Sequence, residues 1–256
     1  MPNVHVQRQD PLWIVTINRP EVRNAVDGQT AYELADAFRQ FDSAPHAAVA
    51  ILTGAGGTFC SGADLKAVAA GRGNQLSLEG DGPMGPTRMM LSKPVIAAVE
   101  GHAVAGGLEL SLWCDLRVAA RDAVFGVYCR RFGVPLIDLG TIRLPRLIGQ
   151  SHAMDLILTG RGVSGEEALR MGLVNRLTES GEALNHSIDL ARQIAAFPQT
   201  CLRSDRASAY EQWHLSWDDA TSNEFHHGME VMESGETQRG ADRFASGEGR
   251  HGERTS

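Results

Sequence analysis

Residues 95–115, VIAAVEGHAVAGGLELSLWCD, limit the folds open to this chain more than any other stretch. Val95–Val99 is wholly apolar, the pattern of a strand buried on both faces. Gly101 permits a tight turn, and Gly106 and Gly107 stand directly before Leu108–Trp113, which reads as a helix. Glycine at such a loop-to-helix junction lets a ligand come close to the backbone. The first N–H groups of a helix have no partners within it, and together with the helix dipole they favour an anion. Glu109 falls in that first turn, among apolar neighbours. On one reading it only complements the dipole. On the other it is an acid–base group beside a set of N–H donors.

Residues 57–66, GTFCSGADLK, repeat the arrangement. Ser61, Gly62 and Ala63 precede Asp64, a residue suited to starting a helix. Two such junctions can each give one N–H to a single oxygen, the usual form of an oxyanion hole.

Around these two stretches the chain alternates strand and helix. Val4–Gln7 and Leu12–Ile17 read as a hairpin turning at Asp10-Pro11. Residues 29–42 carry a helical period through Leu34, Ala37, Phe38 and Phe41, and Ala48–Thr53 reads as a buried strand. Residues 71–86, rich in Gly and Pro, read as a mobile loop or a short helix between two loops, either a lid over a ligand or a surface insertion. Leu116–Ala119 and Ala123–Phe125 read as strands, and Thr141–Ile148 and His152–Leu158 as helices, the first bent or ended by Pro145. Ser164 and Glu167 form a capping box for a helix to Met171, and Gly172-Leu173-Val174 begins a further strand. Glu182–Ala196 is helical, and so is Thr200–Met232, with breaks near Ser216 and Gly228. The last residues, SGEGRHGERTS, are polar and read as frayed.

A chain of 256 residues, 43% hydrophobic, can bury one large core with or without a helical appendage. A net charge of −7 argues against nucleic-acid and membrane-surface partners, which select basic patches. Cys60, Cys114, Cys129 and Cys201 show no C-x-x-C spacing, so free thiols and no metal site are expected. MPNVHVQRQDP has no apolar signal core and no stretch approaches a membrane span, so a cytoplasmic protein is expected.

The pair FCSGADL and G-x-x-x-A-G-G-x-E-L…C-D, in that order, resembles the signature of the enoyl-CoA hydratase/isomerase (crotonase) superfamily. RPEVRNAV, from Arg19 to Val26, and the segment from Phe125 to Gly149 are similar to further family segments, so the resemblance runs from about residue 10 to about residue 245. It implies an α/β fold, with a ββα spiral core over residues 1–195 and a helical C-terminal region over 196–256. It also implies an acyl-CoA substrate, coenzyme A as the carrier rather than a permanent cofactor, and a homotrimer or dimer of trimers. Ala63 and Gly106 would be the two N–H donors to the thioester oxygen, and Glu109 the principal acid–base group. The second glutamate of the family's hydratases falls at Cys129, here a thiol that reads as a weak nucleophile or a small buried apolar group. Asp138, followed by Gly140-Thr141, resembles an acid of dienoyl-CoA isomerase-like members; it also suits a helix N-cap, and the roles are compatible. By the same resemblance Arg23, Ala25, Ala63, Asp64, Leu65 and Lys66 would edge the coenzyme A site, with Lys66 as a phosphate partner or simply solvated. Phe244 matches a family aromatic, but ASGEGR follows it where many members carry Lys-Arg. The reading is an enoyl-CoA hydratase or isomerase. The alternatives are a non-catalytic acyl-CoA-binding protein, or a hydrolase or decarboxylase on the same scaffold.

Overall fold

The computed structural model describes residues 2–248, so the polar tail beyond Glu248 lies outside the described residues. The chain divides into two compact units, with the boundary between Ala191 and Arg192.

The first unit is built on a six-stranded sheet. β1 (Val4–Gln9) and β2 (Leu12–Ile17) pair antiparallel, Val4 opposite Ile17. β2 then runs parallel to β3 (Val49–Gly54), and β3 to β4 (Val95–Val99). The continuous apolar sequence of β3 and β4 follows from their place in the middle, where helices or loops cover both faces. Between β2 and β3 the chain crosses over through α1 (Gly28–Ser43), whose start Asp27 caps by accepting from the Thr30 N–H at 2.9 Å and the Thr30 hydroxyl at 2.7 Å. Leu34, Ala37, Phe38 and Phe41 form its buried stripe.

A five-residue helix, α2 (Leu65–Ala69), precedes the loop of residues 71–86, which holds no helix until a 3-10 turn at Pro86–Arg88. After β4 come β5 (His102–Val104) and α3 (Gly106–Trp113), every residue of which is buried. Trp113 meets Phe38 of α1 edge-on, with ring centroids 4.7 Å apart. β6 (Leu116–Ala120) joins β4 in parallel, and β7 (Val124–Gly126) lies beside β5 in a second, three-stranded sheet. α4 (Gly140–Thr159) is two helical runs joined at a kink, β8 (Gly162–Ser164) completes the small sheet, and α5 (Gly165–Arg170) is capped by Ser164. β9 (Arg176–Thr178) closes the large sheet beside β6, and α6 (Ala183–Ala195) follows, carrying the boundary between the units.

Three expectations about local structure are corrected. The kink in α4 lies at Gly149, with φ 76° and ψ 159°, and not at Pro145, which the helix carries inside it. Gly172–Val174 is a turn and the strand starts at Arg176, because Leu173 and Val174 donate back to the Ala168 carbonyl. Gly228 does not break its helix: in the second unit α7 (Gln199–Glu211) is followed by α8 (Trp217–Glu233), which runs straight through it. The break comes at Gly235, in the left-handed region at φ 74°, before α9 (Glu236–Ser246). Ser216 does start α8, as an N-cap accepting from Asp219 at 3.2 Å. Within this unit Glu236 accepts from the N–H groups of Thr200 and Cys201, capping α7 from α9. Among the described residues no helix is long and apolar enough to cross a membrane.

Candidate active site

The two glycine-bearing junctions come together. Cys60 and Ala103 form a parallel bridge, with the Cys60 N–H donating to His102 O at 2.8 Å and the Val104 N–H to Cys60 O at 3.1 Å. This holds the segment before α2 against the segment before α3. Ala63 bridges Val26 in parallel. The Val26 N–H donates to Gly62 O at 2.8 Å, and the Asp64 N–H donates to Val26 O at 2.9 Å. In extended backbone successive N–H groups alternate sides, so that of Ala63 faces away from Val26. It finds no acceptor among the described residues, and Ala63 lines a cavity of about 580 Å³.

Gly106 lines the same cavity. The first intrahelical donor of α3 is Glu109, to Ala105 O at 3.2 Å, which leaves the Gly106 N–H without a helical partner. Gly62, at φ 99°, sits so close that a Cβ built on it would lie 2.9 Å from the Gly106 nitrogen. The Ala63 peptide and the Gly106 N–H are therefore neighbours on one wall. Gly107 must be glycine for a second reason: its Cβ would fall 2.1 Å from Cys60 O. Ala105, at φ 54° and ψ −125°, holds a backbone conformation that side chains disfavour, pinned by its own N–H to Gly126 O at 2.9 Å. Such strain is of order 1–3 kcal/mol and concentrates at ligand-binding sites.

One turn into α3, Glu109 is 2% exposed. Its Oε1 accepts from the backbone N–H groups of Asp138, at 2.9 Å, and Gly140, at 2.8 Å. Its Oε2 takes no donor among the described residues, and the residue lines the cavity. Burial, and then the charge of Asp138, push the Glu109 carboxyl up to about 8, against the opposing pull of the two N–H donors and Arg143.

Asp138 is 3% exposed and lines the cavity too. Its Oδ1 accepts from the Met84 N–H at 2.9 Å and from the Thr87 hydroxyl. Burial raises its pKa in spite of these bonds and of Arg88 and Arg143 nearby. It is not a helix cap: the N-cap position of α4 is Leu139, in the left-handed region with φ 69°, and the helix has no side-chain cap. Cys129, in a 3-10 turn at Tyr128–Phe132, lines the cavity at 5% exposure, and burial together with Glu109 raises its thiol pKa.

Of the residues singled out in the sequence, Arg23, Ala63, Leu65, Gly106, Glu109 and Asp138 all face this one cavity. Ala25, Asp64 and Lys66 do not line it. Ala25 is buried, with its carbonyl accepting from Arg19 at 2.5 Å. Asp64 spends Oδ1 on the Lys66 and Ala67 N–H groups at the start of α2, and Oδ2 on Arg19 at 3.0 Å. Lys66 is exposed in the first turn of that helix. Gly73, Asn74, Leu76, Pro83 and Met84 of the loop form part of the cavity wall. Sequence reasoning missed Thr87, the Met84 N–H and the Gly140 N–H. These are ordinary residue types that stand in no motif, and only the fold brings them to a carboxylate.

The sequence pattern described as enoyl-CoA hydratase/isomerase matches residues 7–249. The chain belongs to this family. It is 35% identical over 252 residues to enoyl-CoA hydratase EchA19 of Mycobacterium tuberculosis, covering 95% of this chain and 94% of that one. Over 194 residues it is 39% identical to a carnitinyl-CoA dehydratase of Salmonella arizonae, covering 75% and 74%. Crystal structures of enoyl-CoA hydratases from Mycobacterium marinum (EchA1) and M. tuberculosis superpose with a TM-score of 0.91, each covering 96% of both chains, at 39% and 41% identity. The fold is thus the crotonase fold, and the chain is a crotonase-type acyl-CoA-processing enzyme.

Proposed function

We propose that the protein adds water to, or removes it from, the C2–C3 bond of a coenzyme A thioester, using Ala63 and Gly106 as the oxyanion hole and Glu109 as the acid–base group. The observation that carries this reading is the buried carboxylate of Glu109, tied down at Oε1 and without a protein donor at Oε2 among the described residues, in a cavity that also presents two unsatisfied backbone N–H groups. Negative charge develops on the thioester oxygen as C2 and C3 react, and each donor aimed at it contributes ~3–4 kcal/mol. A carboxyl poised at about 8 exchanges protons readily at neutral pH, which suits it both to take a proton from water and to return one to C2. The family relatives named for hydration and dehydration support the same direction.

Cys129 stands where the family's hydratases carry a second glutamate. The water would therefore be held by Glu109 with Asp138 as the nearest further acid. Asp138 in the cavity also favours a second reading, movement of the double bond by proton transfer between the two carboxyls. Arg23 and Leu65 on the cavity wall support a coenzyme A site along that edge.

Mass spectrometry of a 2-enoyl-CoA panel, incubated with the protein in heavy-oxygen water or in D₂O, tests this. Gain of one heavy-oxygen water supports hydration. Deuterium uptake at carbon without added water supports the isomerase reading. Binding without any product returns the protein to an acyl-CoA binder, and release of free coenzyme A makes it a hydrolase.

A further inference from the structure

The cavity holds one group that the proposed reaction does not use. Cys129 is a free thiol, buried apart from the face it shares with Glu109, Asp138 and the two N–H donors. A thiol in a cavity is not by itself a site. Here a second observation points to a reacting ligand: Glu109, 2% exposed and lining the same cavity, has both its protein donors on Oε1 and none among the described residues on Oε2.

We propose that Cys129 adds covalently to the β-carbon of a 2-enoyl thioester bound in this cavity, making the protein a reversible trap for such substrates. The inference rests on the acyl-CoA reading above. The Cys129 S–H gives its proton to Glu109, and the sulfur forms a bond to C3. The C2=C3 π pair moves towards the thioester oxygen, held by the Ala63 and Gly106 N–H groups. Glu109 then delivers the proton to C2. The net change is addition of S–H across the double bond, with no leaving group, no redox partner and the coenzyme A thioester intact. Removal of the C2 proton by Glu109 reverses it.

The surroundings suit this chemistry. A thiolate is a better nucleophile than water, and the thiolate is the reactive form. Burial and the Glu109 charge disfavour a standing thiolate, so the sulfur attacks only as its proton is taken. The carboxyl poised at about 8 lies far closer to a thiol than an ordinary carboxyl does, which makes that transfer accessible. Cys201, in contrast, is exposed in the second unit, where its thiol faces Asp205, and it does not line the cavity.

The test is intact-protein mass spectrometry after acid quench of the full chain with excess crotonyl-CoA, followed by peptide mapping. The expected result is a mass gain of one whole crotonyl-CoA, mapped to Cys129. It should be absent with butyryl-CoA, absent in Cys129→Ser and Cys129→Ala, and formed at least tenfold more slowly in Glu109→Gln. An adduct mapped to Cys201, or one that persists in both Cys129 variants, overturns the proposal. So does the absence of any adduct while crotonyl-CoA is converted or measurably bound. If crotonyl-CoA neither binds nor reacts, in a calorimetric titration of the same protein, the acyl-CoA reading has failed and the covalent step goes with it. The wild-type arms stand even if the variants fold poorly.

Discussion

At the scale of single residues, Glu109 is the group on which both chemistry and stability turn. Glu109→Gln keeps the size of the side chain and an oxygen for the Asp138 and Gly140 N–H groups, but cannot move a proton. Turnover of the accepted enoyl-CoA is expected to fall by ~10²–10⁴-fold. If the carboxylate acts as base, wild-type kcat/KM rises with pH through about 8, and the remaining activity of the variant loses that rise. The stability profile has the opposite sign. Folding raises this carboxyl from 4.5 to about 8, so the folded protein binds more protons than the unfolded chain between those values. The protonated folded form is favoured, and stability falls as pH rises through that window. The melting temperature of the wild type should therefore drop relative to Glu109→Gln between those pH values, as measured by thermal unfolding in matched buffers. Gly140 fixes the same carboxylate from outside. A Cβ there would lie 2.7 Å from Glu109 Oε1 and 2.8 Å from its Cγ, both parts of a buried side chain with little room to retreat. Gly140→Ala is expected to displace the carboxylate and lower kcat by ~10²-fold, since a shift of about 1 Å is enough for that.

At the scale of elements, what the sequence discloses depends on how local the cause is. The buried strands β3 and β4, the amphipathic α1 and the Ser164 cap announce themselves, because periodicity and capping act over a few residues. The three-residue strands β5 and β8 do not. His102–Val104 and Gly162–Ser164 are too short for a period and become strands only because β7 lies between them. The candidate site divides along the same line. Glu109, Ala63 and Gly106 stand in motifs and were legible. The clamp of Thr87 and Met84 on Asp138 joins residues more than fifty positions apart, and nothing in their local sequence marks it. Asp64 shows a local signal with a long-range half. Its capping of α2 is readable, while its ion pair with Arg19, which also reaches Asp27 at 3.2 Å, is not. The two halves can be separated. Asp64→Asn keeps a cap oxygen and loses the charge, whereas Asp64→Ala loses both. The cap contributes ~1 kcal/mol, and the partner removed from a mostly buried guanidinium a further ~1–3 kcal/mol, softened by Asp27. Urea unfolding should rank wild type above Asn above Ala; an Asn variant as stable as wild type would mean that the ion pair contributes nothing, and Asn and Ala variants of equal stability that the cap does not.

At the scale of the whole molecule, one buried cation fastens the sheet to the helix that carries the chemistry. Arg117, on β6, is 2% exposed. Its Nε donates to Leu173 O at 2.6 Å, and its Nη1 to Ser111 O at 3.1 Å and Cys114 O at 2.8 Å. Its backbone N–H donates to Asn175 Oδ1 at 2.8 Å, just before β9 pairs with β6. The C-terminal end of α3, the turn after α5 and the edge of the large sheet thus converge on one guanidinium. The carbonyls at the end of α3 have no helical donors of their own, so a planar fork with five N–H groups is the side chain that fits them. Lysine has the charge but not the fork. Arg117→Met would leave several buried carbonyls without that donor, each worth ~1–3 kcal/mol, and should lower stability by ~3–5 kcal/mol in sum. Arg117→Lys should recover only a minor part. Because Arg117 does not line the cavity, the folded fraction of either variant should retain the wild-type kcat. Urea midpoints read against turnover under native conditions check this. A fall in kcat without a fall in midpoint would mean that Arg117 governs the placement of α3 and Glu109 rather than the strength of the fold.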